Sequence, residues 1–90
     1  HGPSNPQVHL VARNLAHHQP PQRMGKENQH VKFRLACGGD KPMEAVWWNC
    51  GDALLPKVMF DLAFVPQINE FNGRRSVQLK VLDWQHASAP

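Results

Sequence analysis

No stretch of this 90-residue sequence approaches the ~20 consecutive apolar residues that a membrane-spanning helix needs. Nothing at its start has the form of a secretory leader. Cysteine is scarce: Cys37 and Cys50 are the only two, and they fit neither a C-x-x-C nor another metal-type spacing. One disulfide between them is conceivable, and two reduced thiols are the expected state. Six histidines are present, but none has His-x-x-x-His spacing, and the adjacent pair His17 and His18 must point to opposite sides of an extended chain. The seven carboxylates are scattered, no Ser/His/Asp or Cys/His arrangement stands out, and no glycine-rich phosphate loop opens a helix. A self-contained enzyme or metal site is therefore not expected. The chain starts at His1 without an initiator Met, so it reads as a domain excised from a larger protein that would carry any catalysis.

What remains is enough for one small domain. Hydrophobic residues make up 41% of the chain, sufficient for a core near the lower size limit of independent folding. Ten Lys and Arg against seven Asp and Glu give a net charge of +3, which permits polyanion binding without specifying it.

The apolar pattern has the period of strands, and no helix of ten or more residues can be drawn. After a Gly/Pro/Asn loop over 1–7, Val8 to Asn14 reads as a short strand. Leu15 to Met24 is extended but polar, with Pro20-Pro21 required to sit at an edge or bend. His30 to Cys37 places Val31, Phe33, Leu35 and Cys37 on one face, with His30, Lys32 and Arg34 on the other. Glu44 to Trp48 is a further strand. Asn49 to Pro56 is a loop or a single helical turn. Lys57 to Val65 directs Val58, Phe60, Leu62 and Phe64 inward and Asp61 outward. Ser76 to Asp83 sets Val77, Leu79 and Val81 against Gln78 and Lys80, and the tail from Trp84 to Pro90 carries little signal. Five or six short strands separated by turn residues indicate a small sandwich or barrel, and a barrel removes exposed edges. Phe33, Leu35, Phe60, Leu62, Val77 and Leu79 are the expected interior.

The densest chemistry lies in Ile68 to Leu79. Asn72-Gly73 is the strongest short-range hairpin signal, because both residues tolerate positive φ. Around that turn stand Asn69, Phe71, Arg74 and Arg75, groups able to stack on bases or pair with phosphates. Arg74 and Arg75 must point to opposite sides, so one is free for a ligand while the other braces the hairpin through Glu70 or Asp61. Lys32 and Arg34, with Lys26 in the preceding turn and Lys80 on the last strand, are the cations suited to following a phosphate backbone. A solvated polar face is the alternative for the His30 strand. Trp47 and Trp48 also diverge: one is core and the other is either a stacking platform or a contact for a neighbouring domain.

Several of these segments resemble one family. Gly2-Pro3-Ser4-Asn5-Pro6 is similar to the G-x-G-N-P element that opens the C-terminal domain of RecJ-type single-strand-specific exonucleases, with Ser4 where a second Gly is usual. Gly25-Lys26 followed by His30-Val31-Lys32-Phe33-Arg34-Leu35 resembles that family's G-K-x-x-x-H-[LV]-K-[LF]-x-L strand. Ala45-Val46-Trp47-Trp48 resembles A-[IV]-W-F. Asp61-Leu62-Ala63-Phe64 and the run Ile68 to Leu79 resemble D-[LIV]-A-[FY] and [IV]-N-E-[FW]-N-G-R-x-S-[LV]-Q-L. The order and spacing hold from Gly2 to Asp83.

The resemblance implies an all-β fold: a five-stranded antiparallel OB-fold barrel, with room for a short extra N-terminal strand. The whole of 1–90 is one domain: a leading segment 1–13, a barrel 14–84 and a tail 85–90. In the family this unit is appended to DHH and DHHA1 domains, which hold Mn2+ or Mg2+ in a catalytic core. The resemblance thus implies a cytoplasmic protein in which this non-catalytic fragment, with no cofactor of its own, holds single-stranded DNA for a 5′→3′ exonuclease of repair and recombination. A barrel that docks protein instead, either the parent's own domains or a partner, is the rival. OB barrels bind oligonucleotides on strands 2 and 3 and through the 1–2 and 4–5 loops. Lys26 falls in the first of those loops and Asn69 to Gly73 in the second. The candidate contacts are Lys26, Lys32, Arg34, Trp47, Trp48, Asn69, Phe71, Arg74, Arg75 and Lys80.

Overall fold

Alternating β-branched and aromatic residues form five strands in this computed structural model, which describes residues 9–36, 38 and 41–87. The Gly2 to Pro6 element, Val8, Cys37, Gly39, Asp40 and the last three residues lie outside the described residues. The strands are β1 (Leu10–Met24), β2 (His30–Ala36), β3 (Met43–Trp47), β4 (Phe60–Phe71) and β5 (Arg74–His86). They close into a barrel in the order β1-β2-β3-β5-β4, and no helix occurs among the described residues.

The barrel is mixed rather than purely antiparallel. β3 and β5 run parallel, in register at Ala45↔Leu79 and Val46↔Lys80, while the other four seams are antiparallel. An odd number of strands cannot alternate direction all the way round a closed ring, so one parallel seam is obligatory.

β1 is a single strand where the sequence reads as two. Its first half pairs with β4 from Leu10↔Phe64 to Leu15↔Phe60, and its second half pairs with β2 from Ala16↔Ala36 to Met24↔His30. Between the halves Asn14 takes a left-handed φ of 57°, a conformation Asn tolerates better than most side chains, and the register with β4 slips there. The pairing with β2 slips twice more, between His17 and Gln19 and between Gln19 and Gln22, the latter across Pro20-Pro21. Two residues without N–H groups are accommodated where the ladder is already interrupted. Such bulges bend and twist a strand, which is how β1 spans two neighbours and closes the ring.

Leu15, Val31, Phe33, Leu35, Ala45, Phe60, Leu62, Leu79 and Val81 form the buried cluster inside. Five of the six expected interior residues are in it. Val77 is not: it is 50% exposed, because the β4–β5 hairpin runs on past the barrel after β3 meets β5 at Leu79. Val58, expected inward, is also exposed, since pairing of β4 with both neighbours begins only at Phe60. In both places the apolar alternation continues one step beyond the closed part of the barrel.

Two further expectations are corrected. Trp84 belongs to β5 rather than to a featureless tail: it packs against the core, and its Nε1–H donates to the Leu54 carbonyl at 2.9 Å. A bulge opposite Ala63/Phe64 inserts Leu82, which reverses the in-out parity and pairs Trp84 with the inward Leu62. Asp61 does lie on the outer side of β4, yet it is only 3% exposed. Its Oδ1 accepts the Asn14 N–H at 3.0 Å, its Oδ2 accepts the Gln85 amide at 3.2 Å, and Arg13 stands 3.8 Å away. The Asn14 N–H first, then Gln85 and Arg13, hold its carboxyl below the ordinary aspartate value of 3.8 against the opposing effect of burial.

Phe33→Ala should destabilise the barrel by about 3–5 kcal/mol, whereas Val77→Ala should stay within about 0.5 kcal/mol, in urea denaturation. Because the Asp61 pKa is depressed by folding, the stabilisation it provides is present at neutral pH and disappears as pH falls through its folded value. Asp61→Asn should therefore lower the melting temperature at pH 7, with the variant and the parent curves converging in acid once the pH lies below the depressed folded value. Parallel curves across the whole pH range would show that the carboxylate charge is not the stabilising feature.

Candidate nucleic-acid interface

Residues paired across a sheet point to the same side, so the registers define the outer surface directly. Gln22, Lys32, Val46, Lys80 and Val65 are successive partners across β1, β2, β3, β5 and β4. Their neighbours Val31, Phe33, Ala45 and Leu79 fill the barrel, so this row lies outside. Val46 is nevertheless only 1% exposed. Lys32 and Lys80 flank it, their aliphatic stems in position to roof it while the ammonium groups reach solvent. The adjacent row is Gln19, Arg34 and Glu44. Glu44 Oε1 lies 3.5 Å from Lys32 Nζ and accepts a hydrogen bond from Gln78 Nε2 at 2.8 Å, which joins three strands across the face.

The same surface continues onto the projecting hairpin. Val65, Gln67, Asn69 and Phe71 on β4 stand opposite Lys80, Gln78, Ser76 and Arg74 on β5. Asn72 and Gly73 both have positive φ, 51° and 76°, as the two-residue turn requires. The reverse side of the hairpin carries Ile68, Val77, Glu70 and Arg75. There the Arg75 Nε donates to Glu70 Oε1 at 2.9 Å, so Arg75 is the brace and Arg74 stays with the outer face. Phe71 is 77% exposed at the tip.

At one end, two turns are fastened together. Trp48 follows β3 on the outward parity and is 44% exposed, whereas Trp47 is turned into the barrel against the core. The His30 ring meets Trp48 edge-on at 4.9 Å, and its Nδ1 accepts the Asn49 N–H at 2.9 Å. Gly51 N–H donates to the Gln29 carbonyl at 3.1 Å. Arg23 donates to the carbonyls of Gly51, Asn28 and Ala53 at 2.7, 3.4 and 3.4 Å. The turn bearing exposed Lys26 and the turn bearing Trp48 are thereby fixed to one another. Gly25 shapes the first of them with φ 98°, and a Cβ there would stand 2.6 Å from Gln29 Oε1.

Of the residues singled out in sequence, Lys32, Arg34, Lys80, Asn69, Phe71 and Arg74 share the outer face, with Lys26 and Trp48 at its end. Trp47 and Arg75 lie elsewhere. Sequence reasoning passed over Glu44, Gln78, His30 and Arg23. Glu44 shares the outward parity of Trp48 and was legible on that ground, whereas the Arg23 contacts link residues far apart in the chain and leave no local pattern. Of two clefts, one of about 210 Å³ lined by Arg13, Asp61, Asp83 and Trp84 lies off this face, and one of about 530 Å³ lined by His17, Pro20, Leu54 and Pro56 meets its edge at Gln19. Among the described residues no three His, Cys, Asp or Glu side chains gather where an ion would sit.

A closed five-stranded barrel of this strand order is an OB-fold. The family model of the RecJ OB domain matches residues 1–83, and the chain belongs to that family. Two crystal structures of RecJ from Thermus thermophilus are similar to it. The one in complex with Mg2+ has a TM-score of 0.65 at 22% identity over 94% of this chain. The one in complex with Mn2+ has a TM-score of 0.66 at 22% identity over 98% of this chain. The chain spans only 12% and 13% of those two proteins, respectively, and at this identity the likeness speaks to fold alone. A search of curated proteins finds no match.

Proposed function

We propose that this chain is the single-stranded-DNA-binding OB domain of a cytoplasmic RecJ-type 5′→3′ exonuclease acting in repair and recombination. The observation that carries the reading is the continuity of one outer face, from Lys32 and Arg34 through Lys80 to Asn69, Phe71 and Arg74. Phosphates would meet the unpaired Lys26, Arg34, Lys80 and Arg74, and bases would stack on Phe71 and on Trp48 at the far end. Hydrolysis would belong to the parent's DHH and DHHA1 domains, whose Mn2+ or Mg2+ supplies the metal chemistry. The metal ions in the Thermus complexes fit that division of labour. A protein-docking role is favoured by a different surface: Ile68 and Val77 are exposed as a cross-strand pair on the hairpin's reverse side. The two readings use opposite faces and are separable by mutation.

Lys26, Arg34, Arg74 and Lys80 have no ion-pair partner among the described residues. If three or four of them meet phosphates, log K for single strands should fall against log[salt] with a slope of about −2 to −3, at roughly −0.7 per phosphate. Removing one of these charges should reduce the slope by one step. Phe71→Ala or Trp48→Ala should lower affinity by about 1–3 kcal/mol and leave the slope nearly unchanged. A slope near zero, or equal affinity for duplex and single strand, would transfer the function to the docking face.

A further inference from the structure

Among the described residues Glu44 is the one carboxylate on an otherwise basic and amide-rich face, and it stands in the middle of it. It is directly opposite Arg34, its Oε1 is 3.5 Å from Lys32 Nζ, and Gln78 of β5 holds the same oxygen at 2.8 Å. The side chain is about one-third exposed, 31%, so its charge is felt by anything that lies on the face. Its neighbours show the contrast: Lys26, Lys80 and Arg74, around the margins, meet no carboxylate among the described residues.

We propose that Glu44 is a specificity-determining residue that masks Lys32 and makes the centre of the face unfavourable for phosphate, so that bases rather than backbone occupy it. The inference rests on the nucleic-acid reading above. A single strand can satisfy this arrangement. Its bases are free to lie over Glu44 and Gln78 while its phosphates follow the unpaired cations around them. A duplex presents chiefly phosphates to a flat surface and meets the carboxylate instead. Discrimination of this kind works by repelling the wrong ligand rather than by attracting the right one.

The test is a set of anisotropy titrations of the 90-residue chain with a labelled single strand and a duplex of equal length, each over a range of salt. The variants are Glu44→Gln, Lys32→Met, the double variant Glu44→Gln/Lys32→Met, and Asp83→Asn as an equal charge change in a cleft off the face. Glu44→Gln should raise duplex affinity by roughly two- to fivefold, the scale of one exposed charge pair, with a smaller gain for the single strand. Its duplex slope should steepen by about 0.9, one additional phosphate neutralised. Lys32→Met alone should change the slopes little, and the double variant should return to the parent values. Asp83→Asn should leave the preference for single strands intact. Equal gains on both ligands, weaker single-strand binding by Glu44→Gln, or a gain that survives Lys32→Met would overturn the proposal. If the unmodified chain binds neither ligand, the nucleic-acid reading itself fails. Elution from phosphocellulose then decides the masking alone: Glu44→Gln later than Asp83→Asn supports it, and identical elution refutes it.

Discussion

Five strands close into a ring only if one neighbouring pair runs parallel, and here that pair is β3 and β5. The seam is short, two Cα pairs, yet the outer face depends on it. It sets Lys80 beside Val46 outside and Leu79 beside Ala45 inside. A slip of one residue would exchange the two, burying an ammonium group and exposing a leucine, a cost that pins the register. Because β4 is tied to β5 from Phe60 to Phe71, the same seam also orients the hairpin, and through it Phe71 and Arg74. The bulges at Asn14, around Pro20-Pro21 and at Leu82 supply the curvature that lets so few residues enclose a core.

The electrostatics of the face follow from what the fold does with its cations. A net charge of +3 is too small to define a binding surface by itself. Of the ten Lys and Arg residues, Arg13 faces Asp61, Lys32 faces Glu44, Arg75 is held by Glu70, and Arg23 is spent on three carbonyls. Exposed pairs such as Glu70–Arg75 contribute little to stability, about 1 kcal/mol at most, but they decide which charges remain available. Six are left, Lys26, Arg34, Lys41, Lys57, Arg74 and Lys80, and the registers bring Arg34, Arg74 and Lys80 to one face, with Lys26 at its end. Position, more than number, makes the surface suited to a polyanion.

The core strands and the hairpin turn were legible because both have strong local rules. The alternation of Val31, Phe33 and Leu35 has period two, and Asn-Gly specifies its own turn. Arg74 and Arg75 were known to diverge, but only the pairing of Glu70 with Arg75 decides which one braces the hairpin. Trp47 and Trp48 were likewise ambiguous until the β2–β3 register placed Trp47 opposite the buried Val31. The failures have separate causes. Val58 and Val77 were assigned by extrapolating parity along a strand, and parity stops where a partner strand ends; Trp84 was left in the tail because the bulge at Leu82 breaks the alternation that would have carried it into β5. Asp61 was missed for another reason: its burial depends on Asn14 and Gln85, 47 and 24 residues away.

The central claim is that one continuous outer face, spanning β2, β3, β5 and the hairpin, is the ligand surface. Amide chemical-shift mapping of the labelled chain against a short single-stranded oligonucleotide tests it most directly. The account predicts perturbations at Lys26, Lys32, Arg34, Val46, Trp48, Gln78, Lys80, Phe71 and Arg74, with little change at Val11, Arg13, Asp61 and Gln85 on the other side of the barrel. Shifts concentrated in that second group, or at Ile68 and Val77 on the hairpin's reverse side, would contradict it.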